Sequence, residues 1–225
     1  MQFADSDHPD VIAFAQEATK DATTDREKAV ALFYAVRDGI RYDPYTMCDD
    51  PETYRASHVL KTKVSYCIPK SVLLVAAARA VGLTARLGFA DVRNHLNTEK
   101  LRERMGDSDL FVWHGYAEFL LDGPGDGGCP PDKGGVSRSR KWVKVTSAFN
   151  IELCERFGVK PLEFDGEHDA LLHPYTADGR DHMEYVTERG AFDELPFDEI
   201  NGDFRATYPR MFGAAPAADT AFRPA

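Results

Sequence analysis

SYCIPKSVLLVAAARAVGLTARLGFADV, running from Ser65 to Val92, is the stretch whose reading decides the fold. Its first part predicts a helix over Ser65 to Val81, ended by Gly82. The interior run Val72-Leu73-Leu74-Val75-Ala76-Ala77-Ala78 is apolar on nearly every side, so this helix belongs inside the protein. Pro69 falls in the first turn, where its missing N–H costs little. Thr84 to Val92 then alternates, with Ala85, Leu87 and Phe89 on one face, and predicts a strand.

Working outward, the N-terminal flank predicts a helix over Asp10 to Ala22. A second helix is capped by Thr23, Thr24 or Asp25, carries the stripe Ala29, Leu32, Phe33 and Val36, and stops at Gly39. Ile40 to Pro44 reads as extended, Tyr45 to Tyr54 as a loop, and Ser57 to Leu60 as one helical turn. On the other flank, Asn94 to Asp109 is a charged insertion with a short helix around Thr98 to Arg104. Phe111 to Leu121 and Lys141 to Ser147 are strands, separated by DGPGDGGCPPDKGGVSRSR, which cannot be a regular element. Ile151 to Phe157 predicts a turn or two of helix closed by Gly158. Pro161 to Asn201 reads as an irregular wrap held on the core by Tyr185, Phe192, Phe197 and Tyr208, and the terminal GAAPAADTAFRPA as a disordered tail. The expectation is one domain over residues 1–212, with a core at about 26–150, a wrap at about 151–212, and a tail at 213–225.

A chain of 225 residues with 43% hydrophobic and 11% aromatic content can bury a sizeable core. Lys and Arg total 27 against 37 Asp and Glu, a net charge of −10 that repels phosphate backbones and anionic membrane surfaces. Neither nucleic acid nor membrane is therefore expected as a partner. MQFADSDHPD lacks the basic and apolar regions of a signal peptide, and no stretch has the roughly 18–20 apolar residues of a membrane span. Cys48, Cys67, Cys129 and Cys154 form no CxxC pair and read as free thiols of a cytoplasmic protein.

A cysteine opening an apolar helix is, taken alone, most often a packed core residue. The position nonetheless favours reactivity: a helix start presents unpaired N–H groups and about half a positive charge, which lower a thiol pKa. Lys70, one turn on, adds positive charge. His114, inside the strand segment Val112-Trp113-His114-Gly115-Tyr116, is the candidate base for Cys67. A symmetric register across the Gly/Pro loop would set Thr146 opposite His114, Lys144 opposite Tyr116 and Trp142 opposite Glu118, within reach of the imidazole.

A cysteine at a helix start, then Arg-Ala-Val-Gly-Leu-Thr-Ala-Arg, then Trp-His, then Trp-Val-Lys-Val resembles the transglutaminase-like superfamily of papain-fold thiol enzymes, over about Ile40 to Asn150. The resemblance implies an α+β fold in which a central buried helix carrying the cysteine packs on an antiparallel sheet carrying the histidine. It implies Cys67 as nucleophile and His114 as general base and then acid. Two departures stand out. The residue before the cysteine is Tyr66 where the family often has glycine, which narrows the site or supplies a hydroxyl. Thr146 occupies the place of the family's aspartate; Asn150, Asp165 and Asp169 are the alternatives for orienting the ring. The implied activity is thiol-dependent acyl transfer, first of all hydrolysis of an amide or peptide bond in a peptide, protein or small amide. An amide-forming acyltransferase and a catalytically silent binding module are the rivals. With no phosphate loop and no dinucleotide fingerprint, no cofactor is expected. His168, His173, His182 and Glu184 lack zincin spacing, so no metal is expected, and that region reads as a polar cap over a substrate groove.

Overall fold

A computed structural model describes residues 1–94, 98–123, 140–171, 183–211 and 222. Helices α1 (Pro9–Ala18) and α2 (Asp25–Gly39), strand β1 (Arg41–Tyr42), α3 (Ala56–Thr62) and β2 (Val64–Ser65) lead to α4 (Cys67–Ala80). They are followed by β3 (Ala85–Asn94), α5 (Glu99–Arg104), β4 (Leu110–Asp122), β5 (Arg140–Val145), α6 (Ile151–Phe157), β6 (Met183–Phe192) and α7 (Phe197–Thr207).

The organising element is α4. One side packs on β3 and β4, and the others are covered by α1, α2 and α3, which explains why its sequence is apolar all round. Ile68 and Val72 to Ala78 have no exposed surface. Burial of each large aliphatic side chain there is worth roughly 1.5–3 kcal/mol. The helix begins two residues later than its sequence suggests, because Tyr66 is extended (φ −117°, ψ −174°) and stands as N-cap. It ends as expected: Gly82 takes φ +85°, and the Leu83 N–H returns to the Ala78 carbonyl. At the start of α2, Thr24 and Glu27 form a reciprocal capping box.

The sheet is antiparallel and four-stranded in the order β5-β4-β3-β6. Leu87, Phe89, Ala117, Phe119, Val143 and Val145 are buried in the core shared with α4. The architecture is therefore α+β, with a buried helix on an antiparallel sheet. The β4–β5 register departs from the symmetric expectation: Lys144 faces Glu118 and Trp142 faces Leu120, a slip of two residues. Because side chains alternate with period two, the slip changes partners and leaves each residue on its expected face.

The expected irregular wrap is in part regular, and this corrects the sequence reading. β6 pairs with β3 along its length, and α7 follows it. β6 gave no hydrophobic alternation because it is an edge strand whose residues 184–188 are exposed; backbone hydrogen bonds and ion pairs such as Arg93–Glu184 (2.8 Å) hold it. Of the expected anchors, Phe192, Phe197 and Tyr208 pack on the core, whereas Tyr185 is 40% exposed. Phe222, expected in a disordered tail, is buried beside Tyr42, Tyr45 and Phe157. The rest of the 213–225 call lies outside the described residues, as does the Gly/Pro loop from 124 to 139 with Cys129. Among the described residues no helix is long and apolar enough to cross a membrane.

Candidate active site

Cys67 occupies the first turn of α4, and the Tyr66 side chain does not cap that turn. The N–H groups of Cys67 and Ile68 in that turn, and of Gly115 on β4, all act on the sulfur. Gly115 is what lets β4 come this close. A Cβ there would lie 3.0 Å from the Ile68 Cα and 3.4 Å from the Cys67 carbonyl oxygen, so any side chain would push strand from helix.

His114 directly precedes that glycine, 5% exposed, and it lines the same cavity as Cys67. Its position depends on a β-bulge. Pairing of β3 with β4 runs from Ala90 opposite His114 to Val92 opposite Phe111, so Val112 and Trp113 together oppose Asp91. Trp113 takes φ +59°, a left-handed conformation that strains a bulky residue. The N–H groups that the bulge frees are both used: Trp113 donates to the Asp91 carboxylate (3.0 Å) and Val112 to the Tyr208 hydroxyl (2.7 Å). Arg189 then grips Asp91 (2.6 and 3.0 Å) and Asp203 (2.8 Å), Asp203 accepts from the Trp113 indole (2.7 Å), and the guanidinium lies 4.4 Å over that ring. None of these four supporting residues was singled out from sequence for this role, since they come from β3, β6 and α7. Gly115 did carry a signal: a glycine within a strand pattern marks a bulge or a close backbone approach.

Beyond the end of β5, Thr146 Oγ1 lies 3.3 Å from His114 Nε2 and 3.4 Å from the Gly115 carbonyl oxygen. One arrangement of protons uses both contacts: Nε2–H donates to the hydroxyl, and the hydroxyl donates to the carbonyl. That chain leaves Nδ1 with its lone pair. The other candidates for orienting the ring are engaged elsewhere. Asn150 accepts from the Tyr42 N–H (3.0 Å), Asp169 from the Lys144 N–H (2.8 Å), and Asp165 from His168 Nδ1 (2.7 Å) and its own turn. The Tyr66 hydroxyl, expected near the sulfur, donates instead to Tyr54 (2.7 Å), so Tyr66 contributes only its ring to the cavity. Glu184 pairs with Arg93, and no group of three metal-binding side chains occurs among the described residues; His173 and His182 lie outside them.

Burial sets the charge state. It pushes the Cys67 thiol up to about 11 against the pull of the three N–H groups and, more weakly, of Lys70. It also pushes His114 down to about 4. Part of Cys67 still reaches solvent, but desolvation outweighs the helix-start effect that favours a thiolate. The gap between about 11 and about 4, seven pH units at about 1.4 kcal/mol each, is worth roughly 10 kcal/mol. Even a thiolate and an imidazolium brought into contact, at about 4 Å, would return only roughly 4 kcal/mol at an effective dielectric of 20. The resting pair is therefore a neutral thiol and a neutral imidazole. Lys70, expected to face the thiol, is fully buried and donates to the Arg37 (3.0 Å) and Ile40 (2.6 Å) carbonyls at the end of α2.

No curated protein matches the chain in sequence. Among solved structures, it is similar to a protein from Cytophaga hutchinsonii named a putative cysteine protease, with 14% identity and a TM-score of 0.43 over 65% of this chain and 39% of that one. It is also similar to one from Parabacteroides distasonis named a putative protease, with 18% identity and a TM-score of 0.37 over 67% and 28%. The chain thus spans well under half the length of either relative. The family model described as the transglutaminase-like superfamily matches residues 12–147, more than half of the chain and all the elements that carry Cys67, His114 and Thr146, and the chain belongs to that superfamily.

Proposed function

We propose that the protein is a thiol-dependent acyl-transfer enzyme that hydrolyses an amide or peptide bond through an acyl-enzyme on Cys67. The observation that carries this reading is the Cys67 sulfur at an uncapped helix start, in one cavity with a histidine whose Nε2 is held by Thr146. His114 Nδ1 takes the thiol proton as sulfur attacks the carbonyl carbon. Sulfur bonds to carbon, and the former carbonyl oxygen takes the negative charge, facing backbone N–H groups of the helix start. Collapse of this intermediate breaks the C–N bond, and the proton held by His114 passes to the leaving amine. Water, deprotonated by the same nitrogen, then releases the acid and restores the thiol. Because the resting pair is neutral, His114 acts as a base during attack, as in a hydroxyl-nucleophile enzyme, instead of storing a thiolate beforehand.

Acylation by a p-nitrophenyl ester tests the reading. One equivalent of nitrophenol should appear in a burst, with the acyl mass on Cys67, and the burst should vanish in Cys67→Ala. A second reading, a binding module that has lost catalysis, is favoured because the described partner of His114 Nε2 is the Thr146 hydroxyl and not a carboxylate. No burst with any acyl donor, from a folded protein, would select it.

A further inference from the structure

His114 stands in the wall of two cavities, and among the described residues neither has a charged side chain in its lining. The first, about 400 Å³, is the one that Cys67 opens into. Its walls include Met47, Met105, Met211, Phe111 and Phe204. Of the three tyrosine hydroxyls there, Tyr66 is bonded to Tyr54 and Tyr208 bridges the Val112 N–H and the Leu110 carbonyl, which leaves the neutral hydroxyl of Tyr42 in the wall. The second, about 320 Å³, lies where His114 meets Thr146, and its walls include Phe149, Leu162, Leu171 and Met183. In a chain carrying a net charge of −10, the described residues that line both sides of the candidate site are uncharged.

The geometry points to a substrate with apolar groups on both sides of the scissile amide: a bulky aromatic or aliphatic side chain on the acyl part, and an uncharged aliphatic or aromatic substituent on the leaving amine. This rests on the proposed roles of Cys67 and His114. The acyl carbon must bond to sulfur, so the acyl side chain extends into the cavity that Cys67 lines. The leaving nitrogen must take its proton from His114, so its substituent extends past the ring toward the second cavity. A carboxylate or ammonium in either place would give up water without gaining a charged partner, and such a loss is costly. The three methionines in the first wall adapt to side chains of differing shape, which favours bulk over one exact outline.

Binding to Cys67→Ala protein tests this without requiring turnover. N-acetyl-phenylalanine isobutylamide should bind by calorimetry. Replacing Phe by Asp, or the isobutyl group by carboxymethyl, should each weaken binding at least about tenfold. Met47→Lys should abolish the preference on the acyl side alone, and Leu162→Lys the preference on the amine side alone. Met47 and Leu162 are half-buried, and far-ultraviolet circular dichroism would verify folding of both variants. Equal or tighter binding of the charged compounds would overturn the assignment, as would a preference unmoved by either variant. The expected binding pattern without any burst on Cys67 would instead overturn the proposed function and leave the pockets' selectivity standing.

Discussion

Cys67 and Cys154 are two thiols that burial pushes up to about 11, and they sit in opposite kinds of surroundings. Cys154 lies inside α6 with its own N–H committed to the Asn150 carbonyl. The charges that pull it down, Arg37 and Lys70, are balanced by Asp38 and Glu155 pushing it up. Cys67 has three backbone N–H groups aimed at it and an imidazole in its cavity. Proton affinity therefore does not distinguish them. The difference is whether free donors and a base stand ready when charge develops on the sulfur and on the attacked carbonyl.

The largest expected effect separates the two thiols directly. Cys67→Ala should reduce turnover of an amide or active ester by about 10⁴-fold or more, while Cys154→Ala should stay within about threefold. Comparable losses in both variants, with both folded, would make the contrast one of packing. Gly115→Ala comes next. The added methyl meets the backbone of Ile68, so helix and strand must part by several tenths of an ångström, and kcat should fall by about 10²-fold with the fold kept. An unchanged rate would mean that the approach of Gly115 to the helix start does not hold the sulfur and the ring in place.

Much of this contrast was legible in the residues, and the boundary has physical causes. The buried helix was readable because Val72 to Ala78 leave no polar face, and the second helix because Thr23, Thr24 and Asp25 offer caps ahead of the stripe Ala29, Leu32, Phe33 and Val36. The expectation for Cys67, His114 and Thr146 came from the family resemblance together with strand alternation; a two-residue register slip still left Thr146 near enough to His114 for a diagonal contact. The bulge was not readable. Nothing in Val112-Trp113-His114 announces a tryptophan in the left-handed region, because the groups that stabilise it, Asp91, Arg189, Asp203 and Tyr208, come from distant segments. The same holds for the direction of Lys70: sequence places it one turn from the thiol, but only tertiary packing turns its ammonium toward the end of α2. β6 escaped because an exposed edge strand needs no apolar pattern.

Thr146 offers a smaller effect that sharpens the picture of a neutral pair. Thr146→Val removes the hydroxyl at nearly constant volume, so Nε2–H loses its acceptor and the ring its fixed tautomer. A fall in kcat of about tenfold is expected, with KM little changed and recovery in Thr146→Ser. In the unaltered protein the active form has His114 neutral. Rising pH should therefore switch on kcat/KM through a midpoint near 4, with a flat profile across neutrality. A midpoint between 6 and 7 would mean that the ring is solvated or paired with a negative charge, and the comparison of the two thiols would need a thiolate at Cys67.

Lys70 lies under the influence of both thiols, and its expected effect on rate is the smallest. Its pull on Cys67 is weaker than that of the three N–H groups, so Lys70→Met should change kcat by less than about threefold. Its signature belongs to stability. Burial lowers Lys70 from its ordinary 10.5 to about 7, so between those values the unfolded chain holds a proton that the folded chain has released. Stability must then rise with pH across the window from about 7 to 10.5, and the cost of burying the charge is fully felt below it. Chemical denaturation at pH 7 and 9 should show the unaltered protein gaining about 2 kcal/mol relative to Lys70→Met over that interval. The variant also leaves the Arg37 and Ile40 carbonyls without this donor, but that penalty does not vary with pH, so the difference in slope isolates the titration. Parallel slopes would mean that Lys70 stays charged in the folded protein. A permanent ammonium would then sit between Cys67 and Cys154, and the neutral resting state assigned to the active thiol would have to be revised.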